Sequence, residues 1–474
     1  MTAKLIICND SGEETIIEQD LGAEKSLNNM NLIENFVLSL KTSVLPKLEQ
    51  KLLEKTELRA EQLALVKKKN GFRQVEVSSL NGVYSFTNQQ YILLDGTQTN
   101  HLCLLGGLDS TYKSDGLCGF IEEWVMDLSY RKVSRLLTQH TGSSVLSGGG
   151  IKKYLLRKSV LISNKWAFSS LKKGNKSLEI AVSESINIYD SKQGEVILMM
   201  DDVGVKAQKP HKKIDRIKDD AKRIDTTVVL ISLEKLVGKS TDQADKSPLP
   251  LVPSDKGVTM TVLKDGKTDK KAVEKDAPHF MALTEGIDAT GKVIYPIEQA
   301  ISDTVKELYV DKTAEPLPIV AITDGARSIR LTLQLIFGLN LCIILDWYHL
   351  QLKIKNLMSM IAPNKTVKEL YINDLKTLLW YGKTTQALDY LAQIPTVKNQ
   401  EKFDELIVYL TKHQTEIIDY DKRKKAGKTI GSGRCEKAND GIVAHRQKKK
   451  GMAWSRAGSK ALAIIKTYQL NKAA

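Results

Sequence analysis

Cysteine is scarce and scattered. The five in this 474-residue chain (Cys8, Cys103, Cys118, Cys342 and Cys435) include no C-x-x-C pair. That excludes a zinc ribbon and a disulfide framework, and fits a reducing compartment. Long apolar runs are missing too. None approaches the ~20 residues that span a bilayer, and the N-terminus offers only Leu5 to Cys8, so neither a membrane span nor a signal peptide is expected. A complete phosphate-binding loop is also absent. Gly238-Lys239-Ser240 and Gly427-Lys428-Thr429 end like one, but Leu233 and Lys422 stand where the leading glycine belongs, which argues against a P-loop ATPase. Acid is outnumbered by base: the net charge is +14 and the pI near 9.2. Such a balance favours a polyanionic partner, either nucleic acid or an acidic membrane surface. The length allows about two to four domains with real cores.

The stretch Pro316 to Leu350 reads as strand, turn, helix, strand. Pro318 to Thr323 is a short β-branched run stopped by Asp324-Gly325, which as a bare turn signal needs no further role. Ser328 to Phe337 places Ile329, Leu333, Ile336 and Phe337 on one helical stripe. Leu341 to Leu345 is a second apolar run, ending at Asp346 with His349 close behind. This βαβ pattern predicts two buried parallel strands, each delivering a carboxylate at its C-terminal end, where open α/β sheets place their chemistry. A second carboxylate run, Glu195 to Val205, is a wholly apolar strand ending in Asp201-Asp202. Side chains alternate faces along a strand, so one of the two aspartates can share a site with the neighbouring strand, and Asp201 is chosen. Thr226 to Ser232 predicts the adjoining strand, Tyr295 to Tyr309 a helix, and Gly238 to Gly257 a linker.

Upstream, residues 1 to about 70 read as mostly helical, with Leu32 to Val66 an amphipathic packing or dimer helix interrupted at Pro46 and tailed by Lys67-Lys68-Lys69. Gln74 to Phe86 alternates around Asn81-Gly82, which predicts a type I′ hairpin, with Tyr91 to Leu94 continuing the small sheet. Helices are predicted from Phe120, over Tyr130 to Thr138 capped by Ser129, and through Ile151 to Leu156 capped by Ser147. The last two, joined by a Gly-containing turn, have a helix-turn-helix layout, with Lys152, Lys153 and Arg157 suited to phosphate contacts.

Downstream, Gln351 to about Tyr420 carries helical stripes almost throughout. Gly431-Ser432-Gly433 then enters a helix with Glu436 in its first turn, where the helix dipole favours a carboxylate. Glu436, Asn439, Val443 and Arg446 fall on one face. His445, Arg446 and Lys448 to Lys450 make a cationic strip, Arg434 is a further candidate DNA contact, and Trp454 follows, as a packed residue or a base-stacking one. Asp201, Asp324 and Glu436 would repel one another unless a cation lay between them. Oxygen-only ligands select Mg²⁺ or Mn²⁺, and two such ions can drive attack on a phosphodiester. His349, one helical turn past Asp346, suits a carboxylate–imidazole hydrogen bond as a proton shuttle or core histidine.

The runs MMDDVGVK, ITDGARSIR, ILDWYHLQLK and GSGRCEKANDGIVAHRQKKKGMAWSRAG resemble bacterial insertion-sequence transposases of the DDE type, in the ISKra/ISLre-like group, over roughly residues 115 to 470. Here Asp202 stands where those proteins usually have glycine. The resemblance implies an α/β, RNase H-like mixed-sheet core with an all-helical insertion before the final acid. It places the catalytic, metal-holding acids at Asp201, Asp324 and Glu436, and gives Asp346 and His349 a supporting role similar to a motif of Mutator-like transposases. The domains expected are 1–105, helical with a small β-sheet; 106–165, the helix-turn-helix; 180–350, the first part of the core; 351–425, the insertion; and 426–474, the catalytic helix and basic tail. The implied partners are double-stranded DNA and a second copy of the chain, in the bacterial cytoplasm at the nucleoid. A non-catalytic DNA-binding regulator and a nuclease that does not join ends are the rival functions.

Overall fold

The computed structural model describes residues 2–8, 14–20, 30–173, 187–209, 222–234, 280–310 and 318–473. The Gly238 to Gly257 linker and most of the basic run before Arg223 lie outside them. The chain divides into two compact units, Met1–Lys158 and Ser159–Ala474. Among the described residues no helix is long and apolar enough to cross a membrane.

The first unit has more strand than its sequence predicts. β1 (Thr2–Cys8) and β2 (Glu14–Asp20) form an antiparallel hairpin in the region read as helical. Helix α1 (Met30–Glu54) continues through Pro46 instead of stopping there. The proline ring packs against the turn at Gly82, where a Cβ would come within 2.8 Å of Pro46 Cγ. After α2 (Ala60–Ala64), the lysines at 67 to 69 belong to an exposed part of β3 (Val66–Ser79), not to a helix tail. β4 (Gly82–Leu93) and β5 (Gln98–Asn100) complete an antiparallel sheet. Its hairpin turn is Leu80-Asn81, because Ser79 pairs with Gly82, and of these residues Gly82 alone has positive φ (138°), so the type I′ turn is not adopted.

α3 (His101–Leu105) and α4 (Asp115–Trp124) follow, the latter starting earlier than its pattern suggested. α5 (Tyr130–Thr141) has its expected cap, Ser129 Oγ accepting from Lys132 N at 3.3 Å, and ends at Gly142 with φ 72°. α6 (Gly148–Lys173) is capped by Ser147, which accepts from Gly150 N at 3.1 Å. The three opening glycines do not break it, and it runs far beyond Leu156.

In the second unit, β6 (Glu195–Lys206), β7 (Arg223–Glu234) and β8 (Phe280–Leu283) run antiparallel in succession. The short pair β9 (Gly286–Ile287) and β10 (Val293–Tyr295) leads into α7 (Ile297–Val310). The expected βαβ unit then forms: β11 (Ile319–Thr323), α8 (Arg327–Phe337) and β12 (Leu341–Leu345). Sheet order is β12-β11-β6-β7-β8, with β11 parallel to both β12 and β6, so the fold is α/β with a mixed five-stranded sheet. Val196, Leu198 and Met200 share one face with Ile319, Ala321 and Leu341, packed on Ile301 and Val305 of α7 and Ile329 and Leu333 of α8. Each such buried aliphatic side chain contributes about 1.5–3 kcal/mol.

The rest is helical, as its stripes predict: α9 (Trp347–Ile361), α10 (Lys365–Trp380), α11 (Thr384–Ala392), α12 (Gln400–Lys412) and α13 (Tyr420–Lys425). α14 (Gly433–Asn439) continues through a π turn, Asp440–Ala444, into α15 (His445–Gln447), and α16 (Arg456–Ala473) ends the fold.

Candidate active site

Strand register brings the aspartates to one edge. β11 pairs with β6 at a constant offset, Ile319 opposite Val196 and Ile322 opposite Met199 (319 − 196 = 123). Asp324 and Asp201 keep that offset (324 − 201 = 123). β12 pairs with β11 at another, Leu341 opposite Ile319 and Leu345 opposite Thr323 (345 − 323 = 22), and Asp346 keeps it relative to Asp324. Extended past the last paired residues, the register therefore puts Asp201, Asp324 and Asp346 at one level across three parallel strands. Their parity is opposite to that of Val196, Leu198, Ile319, Ala321 and Leu341, so they belong to the face away from α7 and α8.

α14 lies against that other face. Asn439 Nδ2 donates to Asp201 Oδ2 at 2.6 Å, and Cys435 Sγ lies 3.8 Å from the carbonyl of Val228, the residue paired with Asp201. Asp202 takes the opposite parity, where its Oδ1 accepts from Thr227 Oγ1 at 2.5 Å. The alternation that selected Asp201 is thus present in the backbone.

Asp346 is the buried member, at 1% exposure. It caps α9 by accepting from His349 N at 2.8 Å, and its other oxygen accepts from Ser432 N, so one carboxylate ties the end of β12 to the entry of α14. Gly431 makes this approach possible: a Cβ there would meet Tyr348 Cε2 at 2.9 Å and Asp346 Oδ2 at 3.3 Å.

His349 bridges two acids. Its Nδ1 is 3.1 Å from Asp346 Oδ1, an ion-pair separation out of line for the side-chain hydrogen bond the spacing suggested. Its Nε2 is 3.8 Å from Glu436 Oε1. Asp346 beside it raises the imidazole pKa against the opposing effect of burial, and Glu436 and Asp324 add to the rise. Burial alone would push the Asp346 carboxyl up, but His349 and the two backbone N–H groups hold it below the usual carboxylate range. Asp201 moves the other way, raised by burial and by the charge of Asp324, against the Asp202 N–H and His349.

All-oxygen donors whose charged forms oppose one another fit a hard divalent cation. Among the described residues, no three His, Cys, Asp or Glu side chains stand together as a ready ligand set. Asp201 is tied to Asn439, and Glu436 is turned to His349.

The basic residues divide into two groups. Lys152, Lys153 and Arg157 are exposed on α6. Arg434 is exposed too, its guanidinium 4.7 Å from the Phe280 ring centroid, and Lys448, Lys449 and Lys450 are exposed beyond α15. Arg446 and Trp454, expected among the DNA contacts, are not available to DNA, being 4% and 7% exposed; Trp454 takes the packed alternative of its two readings. Arg446 shares the helix face of Asn439 and Val443, which is buried, and its guanidinium lies 4.8 Å from the Trp454 ring centroid. Trp454 is fixed on several sides. Its Nε1 donates to Gln447 O at 3.0 Å, its N donates to Lys206 O at 2.9 Å and its carbonyl accepts from Gln208 N at 2.8 Å, which extends the edge of β6.

Several important residues escaped the sequence reading. Asn439 was placed on the right face, but nothing marked it as the partner of Asp201. Glu195, Arg423 and Lys428 form a fully buried ion cluster. Lys428 Nζ is 2.8 Å from Glu195 Oε2, Arg423 pairs with the other oxygen, and Arg423 also donates to Thr429 O at 2.8 Å and Ile188 O at 2.9 Å. A glutamate opening a wholly apolar strand was the available signal. A cleft of about 400 Å³ opens beside Asp324, with His349, Lys353, Tyr409, Lys412 and His413 in its lining. Its α12 side gave no pattern beyond an amphipathic helix. Compared with protein-family models and with curated proteins, the chain finds no match in either.

Proposed function

We propose that this chain is an insertion-sequence DNA transposase that binds element ends and cleaves and joins DNA strands at Asp201, Asp324 and Glu436, on an RNase H-like core. The observation that carries this proposal is the common level of Asp201 and Asp324 on one sheet face, with the Glu436 helix laid on that face after a helical insertion. The mixed sheet, the net charge of +14 and the exposed basic residues of α6 and of Lys448 to Lys450 support a DNA substrate. α5 and α6 serve as the helix-turn-helix in this scheme, and a homodimer on DNA handles the two element ends at the nucleoid of a bacterial cell.

The three acids would hold two Mg²⁺ or Mn²⁺ ions, which supply an activated water or 3′-hydroxyl and neutralise charge on the leaving oxygen. The chain's own contribution is positional. Asn439 orients Asp201 through Oδ2, leaving Oδ1 to the Asp202 N–H. Asp346 fixes the end of β12 against α14, and His349, facing both Asp346 and Glu436, holds a proton between them.

Incubating the protein with a labelled duplex from the DNA flanking its gene, a target plasmid and Mg²⁺ tests the proposal. Joined product is the expected result. Cleavage without joining replaces it with a nuclease, and binding alone with a regulator. Asp324→Asn should keep DNA binding and abolish both chemical steps; retained cleavage would refute the metal role.

A further inference from the structure

We propose that the cleft between Asp324 and α12 receives one nucleotide of the DNA strand that reaches the acidic edge, with Lys412 contacting its phosphate. This rests on the DNA reading above and adds a substrate subsite to it. The volume, about 400 Å³, lies within the range of about 300–1,000 Å³ typical of small-molecule sites, with room for a single nucleotide.

The lining carries both signs of charge. The acid Asp324 lines the cleft together with Lys353, Lys412, Asn356 and the ring of Tyr409. Lys353 is neutralised by Glu405 at 2.7 Å. Lys412 is exposed and has no acidic partner within 4.0 Å among the described residues, so its charge is available to a ligand.

The aromatic wall is built rather than incidental. The Tyr409 ring packs 4.7 Å from the His413 ring centroid. His413, 1% exposed, is held by Glu416 at 2.6 Å, and Glu416 in turn by Arg330 at 2.8 Å. The floor is Gly325, with φ 85° and His413 Cε1 only 2.8 Å from where a Cβ would stand. A side chain there would push the wall away from the strand end.

A free anion entering this cleft would meet Asp324. A DNA strand meets Asp324 with its charge offset by bound cations, one phosphate lying at the acids and their cations and the next at Lys412, with a base against Tyr409.

The test is the salt dependence of binding, measured by fluorescence anisotropy with a fluorescein-labelled duplex of gene-flanking DNA at one fixed Ca²⁺ concentration, so that an oxygen-seeking cation is present at the acids. Each phosphate contact adds about 0.9 to the slope of log K against log salt, so Lys412→Ala should lower the slope by about 0.9. The exposed Lys365, on α10 outside the cleft, serves as control, and Lys365→Ala should leave the slope unchanged. If wild type binds DNA and Lys412→Ala keeps its slope, or both variants fall alike, the subsite is overturned and the DNA reading stands. If wild type binds no DNA, the DNA reading itself fails and the subsite with it.

Discussion

Replacing Glu195 with Gln probes how the acidic edge is held in place. Glu195 opens β6, the strand that carries Asp201, and its side chain is 0% exposed. Among the described residues it is the single carboxylate paired with two cations, Arg423 and Lys428, whose side chains are also 0% exposed. Glutamine keeps the shape and one acceptor but leaves both cations without a counter-charge. Removing one member of a buried ion pair costs about 3–5 kcal/mol, a large share of the roughly 5–15 kcal/mol that holds a domain together. With an m-value of about 3 kcal/mol per M in urea, the unfolding midpoint should fall by about 1–1.7 M. Tryptophan emission is the assay, since Trp347 and Trp380 pack at 4.9 and 6.1 Å from the Tyr420 ring at the start of the helix that bears Arg423. Adding Lys428→Met removes one of the two uncompensated cations, leaving Arg423, and should recover part of the loss. A Glu195→Gln cost below about 1 kcal/mol would mean the cations are solvated, and the clamp between β6 and the approach to α14 would be wrong.

Asp201→Asn should abolish strand cleavage while Asp202→Asn leaves it within a few-fold, since Asp202 faces Thr227; equal losses in the gel assay would mean the two faces are misassigned. Gly431→Ala should destabilise the protein by about 1–3 kcal/mol through overpacking, and Tyr348→Ala in the same chain should relieve it, because the ring is the nearest obstacle; urea denaturation of the single and double variants decides. Mutating Lys448, Lys449 and Lys450 together to Ala should lower the salt slope of DNA binding by up to about 2.7. Arg446→Ala should instead lower the thermal midpoint and leave the slope alone, as befits a cation buried under Trp454.

The parts of this fold that could be read from the sequence are those fixed by local pattern. The βαβ unit from Ile319 to Leu345 formed as its apolar runs and helical stripe require, and Ser129 and Ser147 cap their helices as small hydroxyl residues do before an amphipathic run. Features decided by distant contacts did not show. Pro46 looks like a helix end until Gly82, on another element, gives its ring a place to pack. Asn81-Gly82 signals a type I′ turn, but the pairing of Ser79 with Gly82 shifted the turn by one residue. Arg446 sits in a cationic strip and so reads as surface, although it shares a helical face with Asn439 and Val443; that this face packs inward, with Trp454 against the guanidinium, is decided by distant contacts. For the candidate site, the aspartates at strand ends were visible because β-strands end where carboxylates begin. The equal offset that aligns Asp201 with Asp324 is a property of strand pairing, so their spacing of 123 residues carried no meaning until the register was known.

A manganese titration follows the acidic edge without relying on any DNA. Mn²⁺ added to wild-type protein should lose its free-ion electron paramagnetic resonance signal as it binds, with two sites filled, and Asp324→Asn should lose the tighter binding while keeping its fold. Identical Mn²⁺ binding by wild type and Asp324→Asn would mean that these acids do not share a cation.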